Sequence, residues 1–231
     1  MMIEVLAFDG DDTLWHNERV FSLTHDWFRA MVGPYGPSAG DELDERLYAT
    51  EMGNLALFGY GVKAFTLSMI ETAIEVSAGR IPAVEIQRII DAGKEMLAHP
   101  VDLLEGVEST LDALAGRYRM MVITKGDLFD QESKLARSGL AERFWRVAIV
   151  AEKDPSTYRR VLDAHGIDPA GFVMVGNSVP SDILPVLEVG GRAVHVPHEL
   201  TWAHEAGDAV DSPRVWNLEH LTDLPALLER L

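Results

Sequence analysis

Three aspartates lie close together near the start of the chain, at Asp9, Asp11 and Asp12. They follow an apolar, partly β-branched run from Ile3 to Phe8, which is typical of a buried parallel strand. Ligands of open α/β sheets bind beyond the carboxyl ends of the strands, so the three carboxylates are expected where a reaction takes place. Carboxylates this close repel one another unless a cation or a raised pKa relieves the repulsion. The pattern therefore favours a metal or acid–base site over a simple polar turn.

Three further groups of polar residues also follow predicted strands. Thr124 ends the run Met121–Thr124, Lys153 precedes a helix-opening proline, and the acidic loop 176–182 follows the run 172–175. A threonine at a strand end or a single lysine is usually structural when it occurs alone. Because parallel strands end at the same edge of a sheet, we expect these groups to lie beside the three aspartates.

An alternation of strand and helix patterns predicts the scaffold that holds these residues. The predicted strands are 3–8, 119–124, 146–150, 172–175 and 192–196, and the helices between and after them are 106–115, 129–138, 155–165, 182–188 and 218–231. Repeated strand–helix units require a parallel sheet with right-handed crossovers. The predicted fold class is α/β, a doubly wound parallel sheet with a Rossmann-like core.

A long helical segment interrupts this alternation after the first strand. Apolar residues recur at helical spacing in four stretches, which we predict as the helices 17–33, 41–57, 62–77 and 83–98. We expect residues 17–98 to form an all-helical cap domain inserted into a catalytic core of residues 1–16 and 99–231.

Composition limits the classes of partner. The 231 residues contain 47% hydrophobic and 25% charged residues, no cysteine, and a formal net charge of −17. The absence of cysteine excludes disulfides and thiol catalysis, and there is no apolar stretch long enough to span a membrane. Nucleic acid and anionic membranes both need a basic face, so neither is expected as a partner. Without a signal-peptide pattern, a cytoplasmic location is the expectation; the oligomeric state is not indicated.

The four groups together resemble the four motifs of the haloacid dehalogenase superfamily, most of whose members are phosphatases. The residues that carry the resemblance are Asp9, Asp11 and Thr13 in a DxDxT pattern, Thr124, Lys153, and the loop Gly176–Asp182. Order, spacing and strand context agree over the whole predicted core. The resemblance implies hydrolysis of a phosphate monoester through an aspartyl-phosphate intermediate.

The resemblance also assigns roles to these residues. Asp9 would be the nucleophile, and Asp11 would protonate the leaving oxygen and later activate water. Thr124 and Lys153 would bind the phosphoryl group. Backbone amides near Gly10, Asp11 and Lys125 would complete the phosphate site.

Mg²⁺ is the cofactor that the resemblance implies, because it prefers hard oxygen ligands. Its ligands would be Asp9, the Asp11 carbonyl, Asn177 and Asp182. The family commonly has an aspartate where this chain has Asn177, which brings no charge to the metal. Asp182, five residues later, matches the second acidic position of the motif.

A subgroup is indicated as well. Asp12, Thr13 and Leu14, the position of the helical insert, and Gly126 after the second motif resemble phosphatases of small phosphorylated metabolites, such as nucleotides or sugar phosphates. In that group the cap closes over the site and selects the leaving group. Three residues near a break in the cap are therefore candidates to face the substrate: Asn54, Tyr60 and Lys63. A solvated turn is the other interpretation of each.

Other readings remain open. A true haloacid dehalogenase would use the same nucleophile without a metal, but such enzymes generally lack the second aspartate, here Asp11. A phosphonatase would need a lysine from the cap, which Lys63 is not shown to supply. A receiver domain also clusters acids beside a threonine and a lysine, yet it is about half this length. The departure at Asn177 leaves room for a family member that binds phosphometabolites without turnover.

Overall fold

The computed structural model describes residues 3–36, 41–205, 207–208 and 210–231. The chain divides into two compact units, Met1–Glu18 with Val101–Leu231, here the core unit, and Arg19–Pro100, here the helical unit. The strands are β1 Val5–Phe8, β2 Arg119–Lys125, β3 Arg146–Val150, β4 Phe172–Gly176, β5 Arg192–His195 and β6 Val215–Asn217. The helices are α1 Glu18–Val32, α2 Asp41–Phe58, α3 Val62–Val76, α4 Ala83–Ala98, α5 Val107–Leu114, α6 Leu128–Arg137, α7 Pro155–His165, α8 Leu184–Glu188 and α9 Leu224–Leu228.

The core unit contains a parallel sheet, which confirms the predicted fold class. Its six strands lie in the order β3-β2-β1-β4-β5-β6, and every pairing is parallel. The order reverses between β1 and β4, so loops diverge there and leave a crevice at the strand ends. Asp9 follows β1 directly and Asn177 follows β4 directly, which places both at this crevice.

Burial explains why β1 and β4 read as continuous apolar runs. All residues of both strands are buried, as expected for central strands covered on two faces. Side chains on one face pack with α5 and α9, including Leu111 and Leu224. Those on the other face pack with α7 and α8, including Tyr158 and Val186. The sheet is therefore held between two apolar layers, and its strand ends are fixed by that packing.

Near the carboxyl terminus one predicted helix was wrong and one strand was missed. The predicted helix 218–231 is reduced to a 3₁₀ turn at Leu221–Asp223 and the five-residue α9. The strand β6, which was not predicted, precedes it; with three residues and one of them buried, its apolar pattern is too short to recognise. The predicted helix 182–188 begins earlier, with a π-helical turn over Val179–Ile183 that runs into α8.

The loop after β1 turns the chain toward α1. Asp12 has φ 59°, a left-handed conformation that aspartate tolerates better than most residues. Its carboxylate accepts the backbone N–H groups of Asn17 and Glu18 at 2.9–3.1 Å. These are among the unsatisfied donors at the start of α1, so Asp12 stabilises the point where the chain leaves the core unit.

The helical unit has an apolar core of its own. Side chains from α1 to α4 form one buried cluster, which includes Phe28, Leu47, Met69 and Ile89. Most aromatic and methionine residues of the helical unit belong to this cluster or pack against it. Within the described part of the chain, no helix combines the length and apolar character needed to cross a membrane.

Glu51 on α2 supports a prediction about the pH dependence of stability. Burial raises its pKa to about 7, so the folded state binds a proton that the unfolded state releases above its ordinary pKa of 4.5. Stability is therefore lost as the pH rises from about 4.5 through about 7, and the full cost applies above that range. Since the side chain is only partly buried, we expect a cost of about 1–2 kcal/mol.

Replacing Glu51 by Gln removes this cost. Glu51→Gln should raise Tm by roughly 3–6 °C at a pH near 8 and leave it nearly unchanged near pH 4.5. Glu45→Gln, at an exposed position of the same helix, is the control and should have little effect at either pH. An equal rise at both pH values would show that the effect of Glu51 does not come from its charge.

Candidate active site

A buried lysine and two carboxylates form the centre of the strand-end crevice. Lys153, from the loop after β3, donates from Nζ to Oδ1 of Asp9 and, at 2.7 Å, to Oδ1 of Asp182. Only 2% of the lysine side chain is exposed, and that of Asp182 is fully buried. The loops after β1, β3 and β4 thus meet at the ammonium group of Lys153. This agrees with the expectation that polar groups at the ends of parallel strands lie close together.

The charges of this centre are interdependent. Burial raises the pKa of Asp9 to about 7, with Asp182 and Asp11 adding to the rise and Lys153 opposing it. Burial also raises the pKa of Asp182, again against the effect of Lys153. For Lys153 burial acts to lower the pKa, but the two carboxylates outweigh it and hold the pKa well above its usual range. The lysine is therefore permanently charged, and it compensates two carboxylates at once.

The second oxygen of Asp9 is only weakly engaged. Its Oδ2 lies 3.4 Å from the Thr13 hydroxyl, which is closer, at 3.2 Å, to Oδ1 of Asn177. A hydroxyl donates one proton at a time, so the shorter contact to Asn177 leaves Oδ2 of Asp9 available. Asp9 thus presents one oxygen fixed by Lys153 and one free to react.

Thr124 supplies a polar atom that lacks a partner. Its Oγ1 is buried and makes no hydrogen bond within the described structure, although a buried hydroxyl without a partner is costly. A Cβ atom placed on Gly10 would lie 3.1 Å from this Oγ1 and 2.7 Å from the ring of Trp15. Any side chain at Gly10 would therefore crowd the hydroxyl. A polar ligand that accepts from Thr124 would satisfy the orphaned group.

Asp182 is held more tightly than the sequence indicated. One oxygen accepts from Lys153, and Oδ2 accepts from the backbone N–H of Ser178 at 3.0 Å. The carboxylate lies against Gly176, where an added Cβ would be 2.2 Å from Oδ2. Direct metal ligation by Asp182 stays a prediction, and it would require exchange of one of these donors.

The oxygen atoms of the site meet the needs of a Mg²⁺ ion only in part. Within residues 3–36, 41–205, 207–208 and 210–231, no three acidic or histidine side chains converge well enough to hold a metal by themselves. Mg²⁺ often binds through one or two carboxylates, water and substrate phosphate, so such a cage is not needed. The carboxylate of Asp9 and Oδ1 of Asn177, which share Thr13 as a neighbour, provide hard oxygens of the right kind. The residues present fit Mg²⁺ in that manner.

Asp11 is surrounded by hydrogen-bond donors. Its two oxygens accept from Nε1 of Trp15 at 2.6 Å, Nε2 of Gln131 at 2.8 Å and Nζ of Lys134 at 3.0 and 3.1 Å. These three donors hold the carboxylate in one position. Gln131 and Lys134 were not predicted, because nothing in the local sequence distinguishes these mostly buried polar residues from the exposed polar residues of an ordinary helix.

The side chain of Lys125 links two loops of the crevice, in addition to the backbone amide named above. Its Nζ forms an ion pair with Glu205 and donates to Oγ of Ser181 at 3.0 Å. Glu205 also accepts from the hydroxyls of Ser178 and Ser181, so the loop before β6 is fastened to the loop after β4. Burial raises the pKa of Glu205, but Lys125 and the two serines outweigh it and lower the pKa below its usual range.

The remaining predicted residues lie in the helical unit. Lys63 is exposed in the first turn of α3, and its role toward a substrate stays a prediction. Asn54 occupies no turn: it is buried in α2, and its amide donates to Ser68 and Glu71 of α3 at 3.1 and 2.8 Å. Asn54 therefore joins two helices of the unit.

The sequence was compared with models of known protein families. Residues 3–190 match the model of haloacid dehalogenase-like hydrolases, which covers all four motifs. The chain belongs to this family. The resemblance inferred from the four motifs is thus confirmed, and the family generally uses Mg²⁺.

Individual relatives within the family differ in activity. A haloacid dehalogenase-like family hydrolase from Xanthomonas campestris is 41% identical, with a TM-score of 0.89 over 99% of this chain and 91% of that chain. A 2-haloacid dehalogenase from Pseudomonas syringae pv. Tomato is 23% identical, with a TM-score of 0.67 over 99% of both chains, and shares the fold.

A curated relative is a phosphatase. N-acylneuraminate-9-phosphatase of Rattus norvegicus is 26% identical over 137 residues, which are 56% of this chain and 53% of the relative. The match thus spans about half the length of that protein. What the family match shows for this chain is a haloacid dehalogenase-like hydrolase.

Proposed function

We propose that this chain is a Mg²⁺-dependent phosphatase that hydrolyses a small phosphate monoester through an aspartyl-phosphate on Asp9. The observation that carries the proposal is Asp11, a second carboxylate two residues after the nucleophile and near enough for its charge to affect Asp9. Phosphate ester hydrolysis needs an acid for the leaving alkoxide. Halide departure needs no such acid. The orphaned hydroxyl of Thr124 adds support, since a phosphoryl oxygen would satisfy it.

In the first half of the reaction, Oδ2 of Asp9 attacks phosphorus while Lys153 holds Oδ1. A bond forms between Asp9 and phosphorus, and the bond from phosphorus to the ester oxygen breaks. The proton of protonated Asp11 goes to that oxygen, so the leaving group departs as a neutral alcohol. Thr124 donates to an equatorial phosphoryl oxygen, and Lys153 balances its charge.

In the second half, water attacks the phosphorus of the aspartyl-phosphate. Asp11, now ionised, accepts a proton from this water, and the bond between phosphorus and Asp9 breaks. Phosphate leaves and both aspartates return to their starting states. The donors around Asp11 suit both steps, because Trp15, Gln131 and Lys134 fix the position of the carboxyl group that gives and later accepts the proton.

When bound, Mg²⁺ would neutralise charge on the phosphoryl oxygens. Asp9, the Asp11 carbonyl and Asn177 are the residues proposed to hold it, with Asp182 fixing Lys153 beside them. The net charge of −17 repels a phosphorylated substrate at long range. Local positive charge at this centre is therefore required for substrate binding.

A phosphate-release screen tests the proposal. Nucleotides, sugar phosphates and N-acylneuraminate 9-phosphate are offered with and without Mg²⁺, and 2-chloropropionate is offered in parallel for halide release. We expect Mg²⁺-dependent phosphate release from at least one ester and no chloride release. Chloride release without phosphate release would replace the proposal with dehalogenase chemistry. Release of neither, with tight binding of a phosphate ester, would favour a non-catalytic binding protein.

Asn177 supports a prediction about metal affinity. Restoring a carboxylate with Asn177→Asp adds charge beside Asp9 and should tighten Mg²⁺ binding about tenfold, or roughly 1.4 kcal/mol. Calorimetric Mg²⁺ titration of the substrate-free protein measures this, with Gln87→Glu on the exposed face of α4 as the charge-matched control. An affinity that rises equally in the control, or not at all in Asn177→Asp, would remove Asn177 from the metal site.

A further inference from the structure

We propose that Lys134 is a positioning residue that holds the Asp11 carboxylate and connects it to Asn17, where the chain passes toward the helical unit. The role for Asp11 in proton transfer rests on the proposed function above. The physical connection through Lys134 does not depend on it.

The ammonium group of Lys134 contacts Asp11, Asn17 and Asp130 at the same time. Its Nζ lies 3.0 and 3.1 Å from the oxygens of Asp11, 2.7 Å from Oδ1 of Asn17 and 3.6 Å from Oδ2 of Asp130. Only 13% of the side chain is exposed, so water competes poorly for these bonds. Burial acts to lower the pKa of Lys134, but Asp11 and Asp130 outweigh it and raise the pKa above its usual value. An ammonium with three hydrogens can serve Asp11 and Asn17 at the same time.

Helix α6 is built to present these donors. Its first turn is capped by Asp127, whose side chain accepts the backbone N–H of Asp130 at 3.0 Å. Gln131 and Lys134 are three residues apart and therefore share a face of the helix. Both donate to Asp11, which places two adjacent donors of one rigid element on one carboxylate.

Asn17 is fastened at both its backbone and its side chain. Its backbone N–H donates to Asp12 at 2.9 Å, and its side-chain oxygen accepts from Lys134. Asp12 and Asp11 are adjacent in the loop after β1. A displacement of Asn17 would therefore move Lys134, and the hydrogen bonds of Lys134 would in turn move the carboxylate of Asp11.

Loss of Lys134 should affect protonation of the leaving oxygen more than attack by Asp9. Without it, Asp11 keeps Trp15 and Gln131 as partners but loses its only charged one among the described residues. The carboxylate then samples other rotamers, and proton transfer to the leaving oxygen becomes less frequent. Attack by Asp9 does not involve Lys134. Substrates that need protonation of the leaving group should therefore lose more activity than those that do not.

The kinetic test compares Lys134→Met with Lys134→Arg on an alkyl phosphate and on p-nitrophenyl phosphate. In a single turnover, release of the leaving group reports phosphorylation of Asp9 alone; we expect its rate in Lys134→Met to fall about 30-fold on the alkyl ester and less than about threefold on the aryl ester. Lys134→Arg should recover most of the loss. Lys94→Met, which breaks an exposed pair with Asp91, is the control and should match wild type. Equal losses on both esters, or no recovery with arginine, would overturn the proposal.

A double-mutant cycle tests whether the effect passes through Asp11. If it does, Lys134→Met should cause no further loss in the background of Asp11→Asn, measured on the alkyl phosphate, where the loss in the single variant is about 30-fold. Additive losses would show that Lys134 acts by another route.

An NMR measurement that needs no turnover tests the contact between Lys134 and Asp11 independently of phosphatase activity. The indole N–H of Trp15 donates to Asp11, so its ¹⁵N–¹H signal reports the position of that carboxylate. Lys134→Met and Asp11→Asn should shift the same indole signal, and Lys94→Met should shift none. If the wild type releases no phosphate but this pattern holds, the proposed function fails and the connection stands. An unchanged indole signal in Lys134→Met contradicts the connection whether or not the protein is a phosphatase.

Discussion

Asp9→Asn is expected to reduce phosphate release by at least about 10⁴-fold, because a neutral amide is a poor nucleophile toward phosphorus and no neighbouring group can replace it. The side chain changes little in size, and its oxygen can still accept from Lys153. Tm should therefore change much less than activity. The loss should appear in kcat, with binding of the phosphate ester retained.

The control for this variant is Asp163→Asn, at an exposed position of α7. It makes the same chemical change outside the crevice and should keep full activity. Phosphate release by Asp9→Asn at more than a trace of the wild-type rate, confirmed in a preparation free of deamidated protein, would contradict the nucleophile assignment.

Lys153→Met is expected to have the second largest effect, on activity and on stability together. Lys153 compensates Asp9 and Asp182, and its removal leaves two buried carboxylates without a counter-charge. Breaking a buried ion pair from one side typically costs about 3–5 kcal/mol. For a chain of this length we expect a fall in Tm of roughly 10 °C, and phosphate release should be abolished.

The double variant Lys153→Met with Asp182→Asn separates the two effects. Removing one of the two stranded charges should restore part of the lost Tm, while activity stays absent because the phosphoryl group still lacks its lysine. If the double variant is less stable than Lys153→Met alone, the carboxylate of Asp182 contributes through its bond to Ser178 more than through Lys153.

The core of the fold was predictable because its pattern is strong and local. The bounds of β3, α4 and α7 match the predicted ranges, since each is a long periodic or continuous apolar run with a clear break at each end. The strand β6 was missed, and the last helix was predicted too long, for the opposite reason. A three-residue strand shows no period, and its pairing with β5 is decided by tertiary contacts.

Some residues of the candidate site were predictable from the sequence, and others were not. Asp9, Thr124 and Lys153 follow predicted strands, so the topology alone brings them together. Lys134 reaches Asp11 from a helix face, and Lys125 pairs with Glu205 of a long connection, over separations of 123 and 80 residues. The sequence indicated that Glu205 holds its loop against the core, but no local signal identifies the partners of either residue. An excess of unpaired carboxylates at the predicted crevice was the one indication that further cations had to be present.

The central claim is that Asp9 carries a phosphoryl group during turnover. The most direct test is a rapid-quench single turnover of the best phosphate ester in water labelled with the heavy isotope of oxygen, followed by mass spectrometry of protein and phosphate. We expect a transient phosphoryl group on the peptide that contains Asp9, with the label then found in free phosphate and none in the protein. Label incorporated into Asp9 itself, which arises when water attacks a carbon ester of the aspartate, would contradict it.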